Sequence, residues 1–236
     1  MLADLHTHLL PGIDDGAADL KDSLALLNQE RACGVDTVVL TPHFKPQVQE
    51  SGAFFAARAR AFELLKSQKE AEGFRFVLGT EVLFSKYLAS IENVCDFCIE
   101  GTRFMLLELP YHAQFDDAVF SAVRRLCDEH GIVPILAHVE RYEAVRRNVH
   151  VLEAFREFGA LFQVNAATLA AKNLSTRLFV RKLVSGGYLN LVGTDCHDPV
   201  HRTADLKRGL DTLEDRFGNR VIREVHACAD FVLNNR

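Results

Sequence analysis

Seven short apolar runs recur along the chain, and a stretch with helical spacing of apolar residues follows almost every one. The runs are rich in Val, Ile, Leu and Phe and lack strict polar alternation, which predicts strands buried on both faces. They lie at Ala3–His6, Thr37–Thr41, Phe74–Leu78, Phe104–Leu109, Ile132–Ala137, Leu161–Val164 and Leu189–Val192.

The stretches between these runs predict helices. Asp19 is placed to cap a helix that Gly34 ends. Further helices are predicted over residues 53–72, 115–130, Ser175–Ser185 and the last 30 residues. Because strand and helix alternate about seven times, the pattern favours a parallel α/β sheet in one domain over residues 1–236. A closed barrel fits this length better than an open doubly wound sheet, which stays an alternative.

Composition and charge argue against several classes of protein. The chain has 27 Lys and Arg against 32 Asp and Glu, a net charge of −5, which argues against broad nucleic-acid binding. Neither a secretory signal nor an apolar stretch of membrane-spanning length is visible, so a cytoplasmic protein without membrane insertion is expected. Six cysteines are too few for a disulfide scaffold in a chain this long. No oligomeric state is predicted.

Polar residues follow nearly every apolar run, where a parallel strand would end. The segments are His6-Thr7-His8 with Asp14, Pro42-His43, Thr80-Glu81, Glu108-Leu109, His138 to Arg141, Asn165, and Asp195-Cys196-His197. The carboxyl ends of parallel strands meet on one face of such a fold, so these side chains are expected to form a single site. Imidazole and carboxylate ligands together suit Mn, Zn or Fe.

Two arginines are candidates for binding a phosphate group at this site. Arg141 follows His138 by three residues, and Arg202 lies in the loop after His197. A guanidinium binds phosphate through two parallel hydrogen bonds. Cys196 and Arg202 have the Cys-x5-Arg spacing of thiol phosphatases, but the segment between them contains Pro199 and no glycine. A nucleophilic Cys196 is therefore disfavoured.

Together these segments resemble the PHP (polymerase and histidinol phosphatase) family. Leu5-His6-Thr7-His8 with Pro11 to Gly16 looks like the family's opening motif, and the later segments match in order from about residue 3 to 217. The resemblance is closest to the manganese-dependent protein tyrosine phosphatases of bacterial capsule and exopolysaccharide clusters. The segment His138-Val139-Glu140-Arg141-Tyr142 is one of the two most specific for that branch.

The resemblance implies a distorted (β/α)7 TIM-like barrel with two or three divalent ions at the carboxyl ends of its strands. Mn²⁺ is implied first, with Fe, Zn and Co as alternatives. One ion would be held by His6, His8, Glu81 and Asp195, a second by Glu81, Glu108 and His138, and a third by Asp14, His43 and His197. Arg141 and Arg202 would bind the substrate phosphate, and His197 or a metal-bound water would supply the proton to the leaving group.

The activity implied is hydrolysis of phosphotyrosine by attack of a metal-activated hydroxide. The implied substrate is the phosphorylated C-terminal tail of a bacterial tyrosine kinase of polysaccharide biosynthesis. A small-molecule phosphatase of the same family, acting on histidinol phosphate or a related ester, is the first alternative. A C–N hydrolase of the amidohydrolase type is less favoured, because Glu81 stands where that class usually carries a carboxylated lysine. A metal-binding protein without turnover is the third alternative.

Overall fold

Every predicted apolar run contains a strand, and two strands are each broken into two segments. The computed structural model describes residues 2–85 and 87–235. The strand segments are β1 (Ala3–Thr7), β2 (Thr37–Leu40), β3 (His43–Phe44), β4 (Arg75–Leu78), β5 (Glu81–Leu83), β6 (Phe104–Glu108), β7 (Val133–Leu136), β8 (Leu161–Asn165) and β9 (Leu191–Gly193). Because β3 continues β2 and β5 continues β4, these segments form seven strands.

The strands are all parallel and curl into a barrel. Segments pair in the orders β1-β2-β4 and β3-β5-β6-β7-β8-β9. The barrel closes between its first and last strands, where His8 N donates to Cys196 O at 3.0 Å and Asp195 N donates to His6 O at 2.8 Å. The prediction of a seven-stranded α/β barrel is therefore confirmed. That the whole chain forms a single domain stays a prediction.

The helices lie between the strands, mostly where apolar spacing predicts them. They are α1 (Leu20–Ala32), α2 (Ser51–Lys66), α3 (Asp117–His130), α4 (Glu143–Arg147), α5 (Glu153–Arg156), α6 (Ala166–Leu169), α7 (Leu174–Ser185), α8 (Leu206–Phe217) and α9 (Asn219–Asn234). Asp19 caps α1 by accepting a hydrogen bond from Asp22 N, as predicted. Gly131 ends α3 in a left-handed conformation. None of the helices described is both long and apolar enough to cross a membrane.

Helix α2 differs from the prediction of a helix over residues 53–72. It begins earlier because the Glu50 carboxylate accepts hydrogen bonds from Gly52 N and Ala53 N. It ends at Lys66, where the side chains of Ser67 and Gln68 both donate to the Leu64 carbonyl oxygen. Such local side-chain bonds compete with continuation of the helix, and only a short 3₁₀ turn follows at Lys69–Ala71.

The barrel interior is apolar at one end and polar at the other. Inward-facing residues such as Leu5, Val39 and Leu191 form a cluster that includes Val232 and Leu233 of α9. The Phe231 ring of α9 packs edge-on against Phe104, the first residue of β6, with ring centroids 5.6 Å apart. The end of α9 therefore covers the amino-terminal ends of the strands, and the functional side chains gather at the opposite, carboxyl-terminal end.

Candidate metal centre and phosphate site

Seven of the predicted ligands lie in three overlapping groups, among the residues that the structure describes. Within each group the ligand atoms are all within 4.8 Å of one another. The groups are His6, His8, Glu81 and Asp195; His43, Glu81 and Glu108; and His8, His43 and His197. The shared members join the groups into one cluster, which we call the strand-end cluster.

The strand breaks bring two of these residues side by side. Pro42 lacks an N–H group and lies between β2 and β3, while Gly79 and Thr80 lie between β4 and β5. After both breaks, β3 pairs with β5 so that His43 lies directly opposite Glu81. The polar positions at the ends of these two strands are therefore matched in register.

Glu81 occupies the middle of the strand-end cluster. Its Oε2 atom lies 3.1 Å from His6 Nε2, 3.1 Å from His8 Nε2 and 3.0 Å from His43 Nδ1. None of these approaches has hydrogen-bond geometry, since Glu81 Oε2 is a buried acceptor without a hydrogen-bond partner. Ligand atoms that share a metal ion approach one another in this way, with their lone pairs directed at a common point.

Other buried polar atoms of the cluster also lack hydrogen-bond partners. They are Asp195 Oδ1, His43 Nδ1 and His197 Nε2. A buried polar atom left unpaired costs about 1–3 kcal/mol, so several in one place need a compensating partner. Nitrogen and carboxylate oxygen donors in this arrangement fit divalent first-row ions.

The imidazole rings are oriented by partners outside the cluster. The Nδ1–H of His6 donates to Gln163 Oε1 at 3.1 Å, and that of His8 donates to Asp14 Oδ2 at 2.7 Å. The Nδ1–H of His197 donates to the Asp195 carbonyl oxygen at 2.9 Å. Each bond engages Nδ1 outside the cluster and directs Nε2 toward it, as in metal-bound histidines.

The contacts of Asp14 differ from the role as a metal ligand that the resemblance implies. Its Oδ2 accepts from His8 Nδ1 and also from His43 N at 2.9 Å, and its Oδ1 accepts from Gly16 N. Both oxygens are thus engaged by protein donors, and Asp14 lies outside the three groups. In this structure it orients His8, and its role as a metal ligand stays a prediction.

His138 completes the cluster on the side of Glu108. Its Nε2 lies 2.8 Å from Glu81 Oε1 and 3.6 Å from Glu108 Oε1. Both His138 and Asp195 have left-handed backbone conformations, with φ of 30° and 54°. Such conformations cost about 1–3 kcal/mol in a residue other than glycine and are common at functional sites.

The electrostatics of the cluster favour a cation. Burial alone would lower the pKa of His8, but the charge of Asp14 and the neighbouring Glu81 raise it to about 10. Burial lowers the pKa of His43 to about 4 and that of His197 to about 3. Burial works against ionisation of Asp195, yet the positive charges of His6, His8 and Arg141 hold its pKa below the ordinary range.

Asp195 connects the strand-end cluster to both predicted arginines. Its Oδ1 lies 3.5 Å from both His6 Nε2 and His8 Nε2. Its Oδ2 lies 2.9 Å from Arg141 Nη1 and 2.7 Å from Arg202 Nη2. Each arginine side chain is just over one-third exposed, at 36% and 37%. The two guanidinium groups therefore lie next to the cluster and remain accessible from solvent.

Gln163 and Asn165 support the site; the sequence placed Asn165 among the strand-end residues of the shared site but assigned Gln163 no role. Gln163 Oε1 accepts from His6 Nδ1 and from His138 N, and its Nε2 donates to Asn165 Oδ1 at 2.8 Å. Asn165 Nδ2 then donates to Asp195 Oδ2 at 2.8 Å. The available signal was the pair of amide side chains in an otherwise apolar buried strand.

Tyr111 is a second residue that sequence reasoning missed. Its hydroxyl lies 3.5 Å from Arg141 Nη1, and its ring centroid is 5.7 Å from that of His138. Partial burial and the nearby charge of Glu108 raise its pKa above the ordinary range, so the hydroxyl stays protonated at neutral pH. Its side chain therefore lies beside Arg141 and His138.

Cys196 is buried between two members of the site. Burial and the carboxyl groups of Glu30 and Asp4 raise its pKa well above the usual value of a thiol. A buried thiol that resists ionisation is a poor nucleophile. The structure thus agrees with the sequence-based prediction that disfavours a nucleophilic Cys196.

Comparison with known proteins supports a family assignment. A family model described as "Capsular polysaccharide synthesis, CpsB/CapC" matches residues 2–231. Tyrosine-protein phosphatase YwqE of Bacillus subtilis is 28% identical over an alignment that covers 100% of this chain and 92% of that protein. Tyrosine-protein phosphatase CpsB of Streptococcus pneumoniae is 22% identical, with 95% and 94% covered.

Solved structures agree with this comparison. A structure described as YwqE from Bacillus subtilis and CpsB from Streptococcus pneumoniae, "unique metal-dependent tyrosine phosphatases", superposes with a TM-score of 0.85. It is 25% identical, with 100% of this chain and 95% of that chain covered. The organophosphorus hydrolase of Deinococcus radiodurans superposes with a TM-score of 0.54 at 14% identity, covering 98% of this chain and 91% of that chain, which shows a shared fold alone.

Proposed function

Because the chain belongs to the CpsB/CapC family of capsular polysaccharide synthesis, we propose that it is a metal-dependent phosphatase of phosphotyrosine in proteins. The observation that carries the proposal is the position of Asp195, whose two oxygens face the strand-end cluster and the arginine pair respectively. A cation site next to two guanidinium groups is suited to a phosphate monoester dianion. The similarity to proteins named tyrosine phosphatases supports the choice of ester.

The residues present fit a centre of divalent ions. His6, His8, Glu81 and Asp195 would hold one ion, and Glu81, Glu108 and His138 would hold another. His43 and His197 would hold a third, with His8 or Asp14 nearby. We propose Mn²⁺ as the metal, with Fe, Zn and Co as alternatives. Bound divalent ions supply Lewis-acid chemistry, polarising a phosphoryl oxygen and acidifying a water molecule.

The two arginines bind the substrate phosphate in this proposal. In the structure Arg141 and Arg202 both form ion pairs with Asp195 Oδ2, and their partial exposure leaves further N–H groups accessible. A substrate phosphate would bind two planar guanidinium groups that one carboxylate positions. Their fixed positive charges then stabilise the negative charge that develops on the phosphoryl oxygens during hydrolysis.

The leaving group does not need a strong proton donor from the protein. A tyrosine phenolate has a conjugate-acid pKa of about 10, far below that of an alkyl alcohol, so it leaves without a strong general acid. His197 donates its Nδ1–H to the Asp195 carbonyl, and its Nε2 carries a lone pair and no proton. This arrangement supports a ligand role for His197 over a role as proton donor.

We propose a phosphorylated tyrosine segment of a capsule-associated tyrosine kinase as the physiological substrate, met in the cytoplasm. The support is the family, named for capsular polysaccharide synthesis, and a site that opens to solvent beside Arg141 and Arg202. An exposed, disordered kinase tail has the extended shape that such an open site accepts.

Lysine substitutions of the arginines test the proposed activity. The parent protein loaded with Mn²⁺ should release phosphate from a phosphotyrosyl peptide, and Arg141→Lys or Arg202→Lys should each lower kcat/KM by about 10–100-fold. Lysine keeps the charge but cannot donate two parallel hydrogen bonds. Arg177→Lys on the exposed surface of α7 is the matched control and should change kcat/KM less than about twofold. Equal rates in all four proteins would remove the arginine pair from the mechanism.

Gln163 offers a test of how the metal centre is supported. A Gln163→Leu variant removes the acceptor that orients His6 and the donor to Asn165, while keeping a side chain of similar size. We expect the affinity for Mn²⁺ to fall by about 10–100-fold, as found when outer partners of metal-bound histidines are removed. Metal titration followed by isothermal calorimetry measures the change. Gln68→Leu, an exposed glutamine after α2, is the control and should leave the affinity unchanged.

A further inference from the structure

A cavity of about 310 Å³ opens beside the arginine pair. Its lining includes Asp195, Arg141 and Arg202 together with Ala170, Lys172 and Arg208. Small-molecule pockets in proteins commonly begin at roughly 300 Å³, which is more room than a phosphate group alone needs. The cavity therefore has space for substrate atoms beyond the phosphate.

The floor of the cavity is made of small residues on a firmly packed element. Ala166, Ala167 and Ala170 belong to α6 or follow it directly, and all three line the cavity. Helix α8 packs closely against α6 at Gly209, where an added Cβ atom would lie 2.7 Å from Ala166 Cα. Arg216 of α8 donates to the carbonyl oxygens of Leu169 and Ala171. The alanine residues that line the cavity are thus held in place.

The charges around the cavity are mostly positive. Lys172 is exposed and forms no ion pair within the described part of the chain. Arg208 is exposed, and its Nη1 lies 3.9 Å from the carboxylate of Asp205, a long contact that leaves its charge largely unneutralised. The other lining carboxylate, Asp195, is already shared by Arg141 and Arg202. The net charge of the chain is −5, so this local excess of cations stands out from the rest of the protein.

We propose that Lys172 and Arg208 form a subsite for a second anionic group of the substrate, near the phosphotyrosine in the same peptide. The inference rests on the proposed function. The phosphate lies at Arg141 and Arg202, the tyrosine ring lies over the alanine floor, and a neighbouring acidic side chain reaches Lys172 and Arg208. The anion is a carboxylate of Asp or Glu or the phosphate of a second phosphotyrosine, since both would be attracted by the same cations.

Three matched peptides test the subsite. Each peptide has the same central phosphotyrosine. The flanking positions hold glutamine in the first peptide, glutamate in the second and a second phosphotyrosine in the third. With the Mn²⁺-loaded parent protein, kcat/KM should be about three- to tenfold higher for the glutamate peptide than for the glutamine peptide. A Lys172→Gln/Arg208→Gln double variant should reduce this ratio to about one. Both proteins should hydrolyse phenyl phosphate, which lacks the second anion, at rates within about twofold of each other.

Controls and a second readout separate the possible outcomes. A Lys182→Gln/Arg177→Gln variant removes two cations of α7 that do not line the cavity, and it should keep the parent ratio. A higher kcat/KM, relative to the glutamine peptide, for the doubly phosphorylated peptide than for the glutamate peptide would assign the subsite to phosphate. Equal relative values would assign it to negative charge in general. Equal kcat/KM for the glutamate and glutamine peptides in the parent would overturn the subsite.

Peptide binding, followed by fluorescence anisotropy, does not depend on turnover. If no peptide and no phenyl phosphate were hydrolysed, the proposed function would fail. Tighter binding of the glutamate peptide than of the glutamine peptide, lost in the Lys172→Gln/Arg208→Gln variant, would still support the subsite. Equal binding of the two peptides by the parent would overturn it.

Discussion

An Asp195→Asn variant should fold normally and lose about three orders of magnitude in kcat, because one carboxylate serves both halves of the site. Asp195 Oδ1 faces the imidazoles of His6 and His8, while Oδ2 accepts a hydrogen bond from Asn165 and forms ion pairs with Arg141 and Arg202. Asparagine keeps the size of the side chain but removes its charge. The variant therefore loses a metal ligand and the counter-charge that positions the two arginines.

Asp205→Asn is the matched control for this variant. Asp205 also lines the cavity, but it caps α8 by accepting from Arg208 N and does not belong to the strand-end cluster. Asparagine is as good a helix cap, so kcat should change less than about threefold. Circular dichroism and thermal unfolding establish that both variants are folded. Near-parental kcat in folded Asp195→Asn protein, with unchanged metal content, would contradict the proposed role of Asp195.

Removal of metal by a chelator should abolish phosphatase activity and lower the melting temperature. Buried atoms such as Glu81 Oε2 and Asp195 Oδ1 have no hydrogen-bond partner, so an ion that binds them stabilises the folded state. At a free metal concentration about 100 times Kd, binding contributes about 2.7 kcal/mol. In a chain of this length that corresponds to a rise of about 5–10 °C in Tm. Activity should fall at least about a hundredfold after chelation and return with Mn²⁺.

A Glu81→Gln variant distinguishes binding at the cluster from binding elsewhere. The Glu81 carboxylate lies within 3.1 Å of four imidazole nitrogens, and removal of its charge should abolish most of the Mn²⁺-dependent rise in Tm. Glu63→Gln on α2 gives a control at a residue outside the cluster and should keep the full rise. Differential scanning calorimetry with and without Mn²⁺ measures both. A melting temperature and an activity that do not respond to chelation would contradict a metal centre here.

The barrel could be predicted because the sequence features that indicate its strands and helices are local. Apolar runs such as Leu161–Val164 mark buried parallel strands, and residues such as Asp19 and Gly131 mark helix ends through their own side chain or lack of one. Polar residues at strand ends indicate one shared site, because topology brings the carboxyl ends together. The sequence therefore predicted the fold and the convergence of His, Asp and Glu residues on one end of the barrel.

Features that depend on contacts between distant residues could not be read from the sequence. The breaks in the second and third strands set the pairing of His43 with Glu81 through the register of two segments. The path from Gln163 through Asn165 to Asp195 links residues that are up to 32 positions apart. Only the folded chain shows that Asp14 orients His8 while both its oxygens accept protein donors.

Phosphate release from two substrates, by protein stripped with a chelator and then reloaded with Mn²⁺, would decide between the phosphotyrosine and small-molecule functions. The substrates are a phosphotyrosyl peptide and histidinol phosphate, each assayed before and after metal is restored. We expect release that depends on Mn²⁺ and strongly favours the peptide. Release from histidinol phosphate alone, or equal release with and without metal, would contradict a metal-dependent phosphatase of phosphotyrosine.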